Sequence, residues 1–294
     1  MIHYEGQVYR PPSEGDSLIL QATIGCSYNE CTFCGMYRGK GFRIRPIAEL
    51  RDEIAWARAH VGTEHVRKVF LADGDALVAR ASFLHEILDE LKRTFPRLRR
   101  VSVYASPQAI QVRTVDEMRS LREAGLRLYY LGIETGHDDV LRRLRKGVTA
   151  DEMIECGRRV HEAGVRLSVM ILLGAGGQDL SLEHARESAR VVNAIQPRFL
   201  STLVMTPVPG TPLWDEELRG AYRCPPPVDL VRELREFLGH LDLSGTVFRS
   251  NHASNHLAVG GSLPKDRQRL LDTLDAALED PDTAPFRPEW LRGL

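Results

Sequence analysis

Met153-Ile-Glu-Cys-Gly-Arg-Arg-Val160-His-Glu-Ala-Gly164-Val-Arg166-Leu-Ser-Val-Met-Ile-Leu-Leu173-Gly174 contains a whole folding unit in one run. Met153, Ile154, Val160 and His161 recur at the spacing of one helical face, and Arg166 to Leu173 is a short apolar segment of strand character. Gly164 stands between them, where a helix terminus in the left-handed region favours glycine. The same order recurs along the chain. Strand-like runs at Ser17–Ile24, Val66–Ala72, Arg99–Ala105, Arg127–Glu134 and Arg198–Met205 are each followed by a candidate helix. Ile87, Leu88 and Leu91 mark the face of one such helix, and Gly125 precedes another strand. Six strand-helix units imply parallel strands with right-handed crossovers, either in an open doubly wound sheet or in a barrel.

Beyond Met205 the composition changes. Pro207, Pro209, Pro212 and then Pro225, Pro226 and Pro227 interrupt regular structure, which places a boundary there. The reading divides the chain into an N-terminal extension (1–16), a core (17–206) and a short C-terminal cap (207–294). The cap is expected to hold amphipathic helices at Asp229–Leu241 and Lys265–Leu278 and to end in a tail from Pro281 to Leu294.

With 294 residues, 43% of them hydrophobic and 27% charged, the chain has the composition of a globular protein. Its 39 basic and 40 acidic side chains leave a net charge of -1, so no global field draws it to nucleic acid or an anionic membrane, and neither is expected as a partner. The N-terminus lacks the order of a signal peptide, and the most apolar run, Leu167 to Gly177, is too short to span a bilayer. A cytoplasmic location is expected.

Three of the five cysteines crowd into Gly25-Cys26-Ser-Tyr-Asn-Glu-Cys31-Thr-Phe33-Cys34-Gly35, directly after the first strand. Such spacing suits a metal better than disulfides. Three thiolates on one loop can hold three irons of a cubane cluster, leaving the fourth iron open to a ligand. A zinc site completed by a distant histidine, Cys156 or Cys224 is the alternative, as are three incidental thiols on a metabolic enzyme. Cys156 and Cys224 otherwise read as packing or surface residues.

A three-cysteine loop ending in Cys-x-aromatic-Cys after the first strand resembles the radical S-adenosylmethionine superfamily, in the branch of methylthiotransferases and oxygen-independent coproporphyrinogen oxidases. The spacing departs from the commoner C-x3-C-x2-C by one residue in the first gap. The resemblance implies a partial (β/α)6 TIM-like barrel of α/β class with a C-terminal cap. It also implies a [4Fe-4S] cluster on Cys26, Cys31 and Cys34, with Phe33 in the same loop, and S-adenosylmethionine at the unique iron.

Further positions take roles from that likeness. Asp73-Gly74-Asp75 stands where the family holds the methionine amino group. Gly132-Ile133-Glu134-Thr135 is similar to the family's Gly-Ile-Glu-Ser segment, so that Glu134 would bind the ribose and Lys146, one helix later, the methionine carboxylate. Ser106 offers a hydrogen bond after the third strand, where Tyr104 replaces an acid of the coproporphyrinogen oxidases. Gly174 marks the region of close approach to adenine. Read from the residues alone, Asp73 or Asp75 is equally an Asp-Gly turn or a helix cap, and Lys146 a cation at a helix C-terminus.

Arg249-Ser-Asn-His-Ala-Ser-Asn-His256 is polar in seven of its eight positions. Asn251, His252, Asn255 and His256 are therefore candidates for contact with a polar substrate, the alternative being a solvated loop. The implied reaction is reductive cleavage of S-adenosylmethionine to a deoxyadenosyl radical that abstracts hydrogen from a small or medium-sized polar substrate. A one-electron reductant such as flavodoxin or ferredoxin would supply the electron. No cysteine set for a second cluster is visible, so a methylthiotransferase is not expected. A coproporphyrinogen-oxidase-like oxidase and a non-catalytic metal or electron-transfer protein stand as alternatives.

Overall fold

The computed structural model describes residues Met1–Gly293; Leu294, the last residue of the expected tail, lies outside the described residues. In chain order the elements are β1 (Leu18–Gln21), β2 (Thr23–Ile24), β3 (Arg43–Ile44), α1 (Ile47–His60), β4 (Lys68–Ala72), α2 (Ala81–Thr94), β5 (Arg100–Tyr104), α3 (Pro107–Gln111), α4 (Val115–Ala124) and β6 (Leu126–Glu134). There follow α5 (Asp138–Arg143), α6 (Ala150–Glu162), β7 (Arg166–Leu173), α7 (Ser181–Ile195), β8 (Phe199–Val204), α8 (Pro212–Leu218), α9 (Pro227–Gly239), β9 (Thr246–Ser250), β10 (Val259–Leu263) and α10 (Arg267–Glu279).

Eight strands form a sheet in the order β1-β4-β5-β6-β7-β8-β9-β10. Strands β1, β4, β5 and β6 pair in parallel, as do β7, β8 and β9, and β10 returns antiparallel to β9. The end strands do not pair with each other among the described residues, so the sheet is an open, partial barrel of α/β class. No helix among the described residues is long and apolar enough to cross a membrane.

The chain forms two compact, interleaved units. The first comprises Met1–Asn29, Met36–Leu131 and Arg158–Leu167; the second comprises Glu30–Gly35, Gly132–Gly157 and the chain from Ser168 onward.

In the first unit, α2 buries Leu84, Ile87, Leu88 and Leu91, the i, i+3, i+4, i+7 stripe of an amphipathic helix. Each of these burials contributes about 1.5–3 kcal/mol. Helix α4 opens on a capping box, in which the Thr114 hydroxyl accepts from Glu117 N and the Glu117 carboxylate accepts from Thr114 N. It ends at Gly125 with φ 128°, as the glycine-before-strand pattern requires. The expected strand Ser17–Ile24 is broken at Ala22. There the pairing of β1 with β4 ends, and Thr23–Ile24 pairs antiparallel with Arg43–Ile44. Ala22 O accepts from Arg45 N, which holds the break in place.

The N-terminal extension is ordered by a buried carboxylate. Glu14 is fully enclosed, and its Oε1 accepts from Tyr130 OH (2.5 Å), Arg100 Nη2 (2.7 Å) and Ser102 Oγ (2.9 Å), while Oε2 accepts from Ser17 Oγ. Burial and the Glu14 carboxylate push the Tyr130 hydroxyl above its ordinary range, so it remains a donor. Tyr130, Tyr104 and Phe70 pack edge to face beside it. Tyr104 is thus part of an aromatic trio.

In the second unit, β9 and β10 were not anticipated. The sequence reading took 207–294 as two helices and a tail, but Thr246–Ser250 pairs in parallel with β8, and Val259–Leu263 forms the far edge. Helices α9 and α10 lie within two residues of their expected bounds. Of the α6 face read from the sequence, Met153 and Ile154 are buried here, whereas Val160 and His161 fall in the first unit, Val160 buried and His161 exposed.

Removing the Glu14 carboxylate takes the acceptor from four donors, those of Tyr130, Arg100, Ser102 and Ser17. Glu14→Ala is therefore expected to lower unfolding stability by about 3 kcal/mol in urea denaturation, with Glu14→Gln losing less. A change within experimental error for Glu14→Ala would show that the cluster is inessential.

Candidate functional site

The cysteine loop leaves β2 through Gly25, whose φ of 73° bends the chain where an L-residue is strained. Cys26 follows, half-buried, in the first unit. Beneath it lies the turn that ends β4. A Cβ added to Gly74 would stand 2.6 Å from the Tyr37 ring and 2.9 Å from Cys26 Cβ, and Gly74 N donates to Gly25 O. Glycine at 74 thus lets the turn support the loop directly.

The two acids flanking Gly74 are completely buried. Asp73 Oδ2 accepts from Lys40 Nζ (2.7 Å), Gln21 Nε2 (3.0 Å) and Gly25 N (3.2 Å). Its other oxygen, Oδ1, is buried with no hydrogen-bond partner, an exception that a buried carboxylate seldom shows. Asp75 accepts from Ser106 N (3.0 Å), Ser106 Oγ (2.7 Å) and Ser27 Oγ (2.5 Å). Ser106 also caps α3, its Oγ accepting from Ala109 N. Asp75 and Ser106 therefore tie the exits of β4 and β5 to the cysteine loop, and a ligand amine would have to displace these hydroxyls to reach Asp75. The sequence reading missed Lys40 and Gln21, since neither lies in a recognisable motif.

The second unit contains Cys31 and Cys34, both half-buried, with Cys34 N donating to Cys31 O. Between them Thr32 clamps the loop, because its N and Oγ1 donate to Leu144 O and Arg143 O, and its carbonyl accepts from Leu213 N. Phe33 packs against an apolar cluster of Val140, Leu144, Ala175, Met205, Leu213 and Tyr222. Cys224 borders that cluster, and burial pushes its thiol up.

Glu134 ends β6 with φ 65°, in the left-handed region that a non-glycine residue occupies at a cost. Its Oε1 accepts from Lys146 Nζ at 2.8 Å, and each side chain is 10% exposed. The pair lies across Gly132, where a Cβ would fall inside the Glu134 carboxylate. Gly174 has φ 85°; its N donates to Glu233 Oε1 (2.7 Å) and its carbonyl accepts from Tyr222 OH (3.0 Å). Glu233 is fully buried within the apolar face of α9, between Leu230 and Leu234. A charge on that face was the available signal for it.

The four polar residues after β9 separate. Asn255 is 2% exposed: its Oδ1 accepts from Val204 N, and its Nδ2 donates to Thr202 O and Ser250 Oγ. It completes the edge of β8 where β9 ends. His252 Nδ1 is engaged by Ser254, and burial with Arg287 nearby holds its pKa below the ordinary value. His256 is buried and likewise depressed, first by burial and then by Arg292. Asn251 is exposed and lines a shallow cavity with Arg249, Ser262 and Arg269. The tail fixes this loop, because Arg287 Nη1 donates to the carbonyls of His252 and Ala253 and Arg292 Nε donates to Ser254 O.

The donor chemistry suits an iron–sulfur cluster. The three loop cysteines form no disulfide. Three thiolates on one loop can each take a different iron of a cubane. The orphaned Asp73 Oδ1 leaves an acceptor for a ligand's amine.

Comparison with known proteins agrees. Residues 20–189 match the Radical SAM superfamily, more than half of the chain. An uncharacterised protein of Methanocaldococcus jannaschii is 22% identical over 227 residues, covering 74% of this chain and 69% of that protein. The heme chaperone HemW of Bacillus subtilis is 22% identical over 202 residues, covering 67% of this chain and 52% of HemW. The structure of Escherichia coli coproporphyrinogen III oxidase, HemN, superposes with a TM-score of 0.59 at 18% identity, over 76% of this chain and 52% of that one. The chain thus spans about half the length of HemW and HemN.

If Gly74 is what seats the cysteine loop, Gly74→Ala loses cluster iron on anaerobic desalting about tenfold faster than the wild type. Gly245→Ala, where a Cβ meets nothing within 4 Å, retains it. Equal retention by the two variants would contradict the role given to Gly74.

Proposed function

Since the chain belongs to the radical S-adenosylmethionine superfamily, we propose that it is a radical enzyme with a single [4Fe-4S] cluster on Cys26, Cys31 and Cys34. It cleaves S-adenosylmethionine reductively and takes a hydrogen atom from a small or medium-sized polar substrate. The observation that carries this reading is the loop itself: three half-buried cysteines in nine residues, braced from below by Gly74 and clamped by Thr32. When bound, the cluster and S-adenosylmethionine supply a one-electron cleavage whose product is the hydrogen-abstracting deoxyadenosyl radical.

The chain's own residues bind and orient. In the first unit, Asp73 holds Lys40 and Gln21 on one oxygen and offers Oδ1 to the methionine amine, while Asp75 and Ser106 keep the loop in place. In the second, Glu134 accepts the ribose hydroxyls and Lys146 attracts the methionine carboxylate, a division that the ion pair between them prepares. Phe33 and the apolar cluster behind it shield the adenine from water, near the fixed backbone of Gly174. His252, kept neutral by burial, and the exposed Asn251 face the substrate. The electron comes from a flavodoxin- or ferredoxin-like donor in a reducing, cytoplasmic setting, where the thiols stay available for iron.

Anaerobic reconstitution is expected to load about four irons and four sulfides per chain. Reduction with S-adenosylmethionine present then yields 5′-deoxyadenosine, detected by chromatography. Each of Cys26→Ala, Cys31→Ala and Cys34→Ala should abolish it. Deoxyadenosine formation that survives the triple substitution would overturn the reading, as would bound zinc in place of iron.

A further inference from the structure

Helix α7 presents Ser181, His184 and Ser188 at spacings of three and four, one face of a helix. His184 and Ser188 are fully buried. A buried polar stripe on a helix must be satisfied from its neighbours, and here the partners are the exits of two strands. At the end of β6, Gly136 N donates to Ser188 Oγ (3.0 Å) and His137 N donates to Thr135 Oγ1 (3.0 Å). Each hydroxyl, having accepted from a backbone amide, has its own proton to give. Both lie on His184 Nδ1, Thr135 Oγ1 at 2.7 Å and Ser188 Oγ at 3.3 Å. With Nδ1 accepting, the ring proton belongs on Nε2.

His184 Nε2 faces Glu233 Oε1 at 3.4 Å. That oxygen also accepts from Gly174 N, at the end of β7, while Oε2 accepts from Ser181 Oγ at 2.5 Å. A buried line of polar groups therefore runs from the Gly136 and His137 amides through His184 to Glu233 and Gly174, and its one step without a hydrogen bond is the approach of His184 Nε2 to Glu233 Oε1. Space is tight around it: a Cβ on Gly136 would collide with the Glu187 carbonyl, and Gly176 packs on the Leu180 carbonyl at the start of α7.

We propose that His184 and Glu233 are positioning residues that lock the exits of β6 and β7 to each other, so that Glu134 and Gly174 are presented in fixed relation to an adenosyl ligand. The inference rests on the reading of Glu134 and Gly174 as adenosyl-binding. Neither side chain need touch the ligand. Glu233 sets the Gly174 peptide, His184 sets Thr135, the residue after Glu134, and the carboxylate couples the two.

The probe is S-adenosylhomocysteine, titrated calorimetrically into the anaerobically reconstituted protein. His184→Phe and Glu233→Gln are each expected to weaken binding about tenfold, the value of one hydrogen bond. The double variant should bind no worse than either single one, because one line is cut in both cases. His184→Gln, which keeps a donor and an acceptor, should recover most of the affinity. Ser181→Ala, a minimal change, should speed amide exchange at Gly174. In the wild type, nitrogen-15 shifts should report the neutral Nε2–H tautomer of His184.

Unchanged affinity in folded His184→Phe and Glu233→Gln would overturn the proposal while leaving the adenosyl site intact. So would additive losses, or an Nδ1–H tautomer. Absence of S-adenosylhomocysteine binding by the wild-type protein would instead sink the adenosyl reading, and this inference with it.

Discussion

In parallel pairing each strand must return by a crossover, so successive strands leave the sheet through the same edge and their carboxyl ends collect there. The chemistry of this protein depends on that constraint within each unit. In the first, the exits of β4 and β5 meet the chain leaving β2, which puts Asp73-Gly74-Asp75 and Ser106 against the root of the cysteine loop. In the second, the exits of β6 and β7 carry Glu134 and Gly174, and α7 bonds the first through Ser188 while α9 bonds the second through Glu233. Side chains far apart in sequence become neighbours because the strands that deliver them are neighbours.

Burying a carboxylate is costly unless its lone pairs are met, and the chain meets that demand in several ways. Asp73 uses an ammonium, an amide and a peptide N–H on one oxygen. Asp75 accepts from two hydroxyls and a backbone amide. Glu134 is neutralised by Lys146 across the space that Gly132 leaves. Glu233 takes a peptide N–H and a hydroxyl and stands beside an imidazole. Acids supported by dipoles are suited to holding backbone in place, whereas the ion pair at Glu134 can exchange partners when a charged ligand arrives.

The parallel units were legible because apolar periodicity and helix-ending glycines record burial directly: β4 through β8 lie where the runs at Val66, Arg99, Arg127, Arg166 and Arg198 placed them. The edge was not. Strand β10 contains Gly260 and Gly261, which leave no alternation to read, and β9 showed only Val247-Phe248. The cysteine loop and the Glu134–Lys146 pair were visible through motif likeness. The bonds of Asn255 to β8 were not legible, because a polar residue in a polar run gives no sign that its amide will finish a strand edge. Lys40, Gln21 and His184 act through partners many residues distant, a relation that no local pattern encodes.

The central claim is that three loop thiolates leave one iron of a cubane open to S-adenosylmethionine. Electron paramagnetic resonance of the reduced, reconstituted protein, recorded before and after S-adenosylmethionine is added, tests it most directly. The account predicts the signal of a reduced [4Fe-4S] cluster whose g-values shift on addition, as the amine and carboxylate enter the iron's coordination sphere. A cluster signal that S-adenosylmethionine leaves unchanged would contradict it, since every iron would then already be held by the protein.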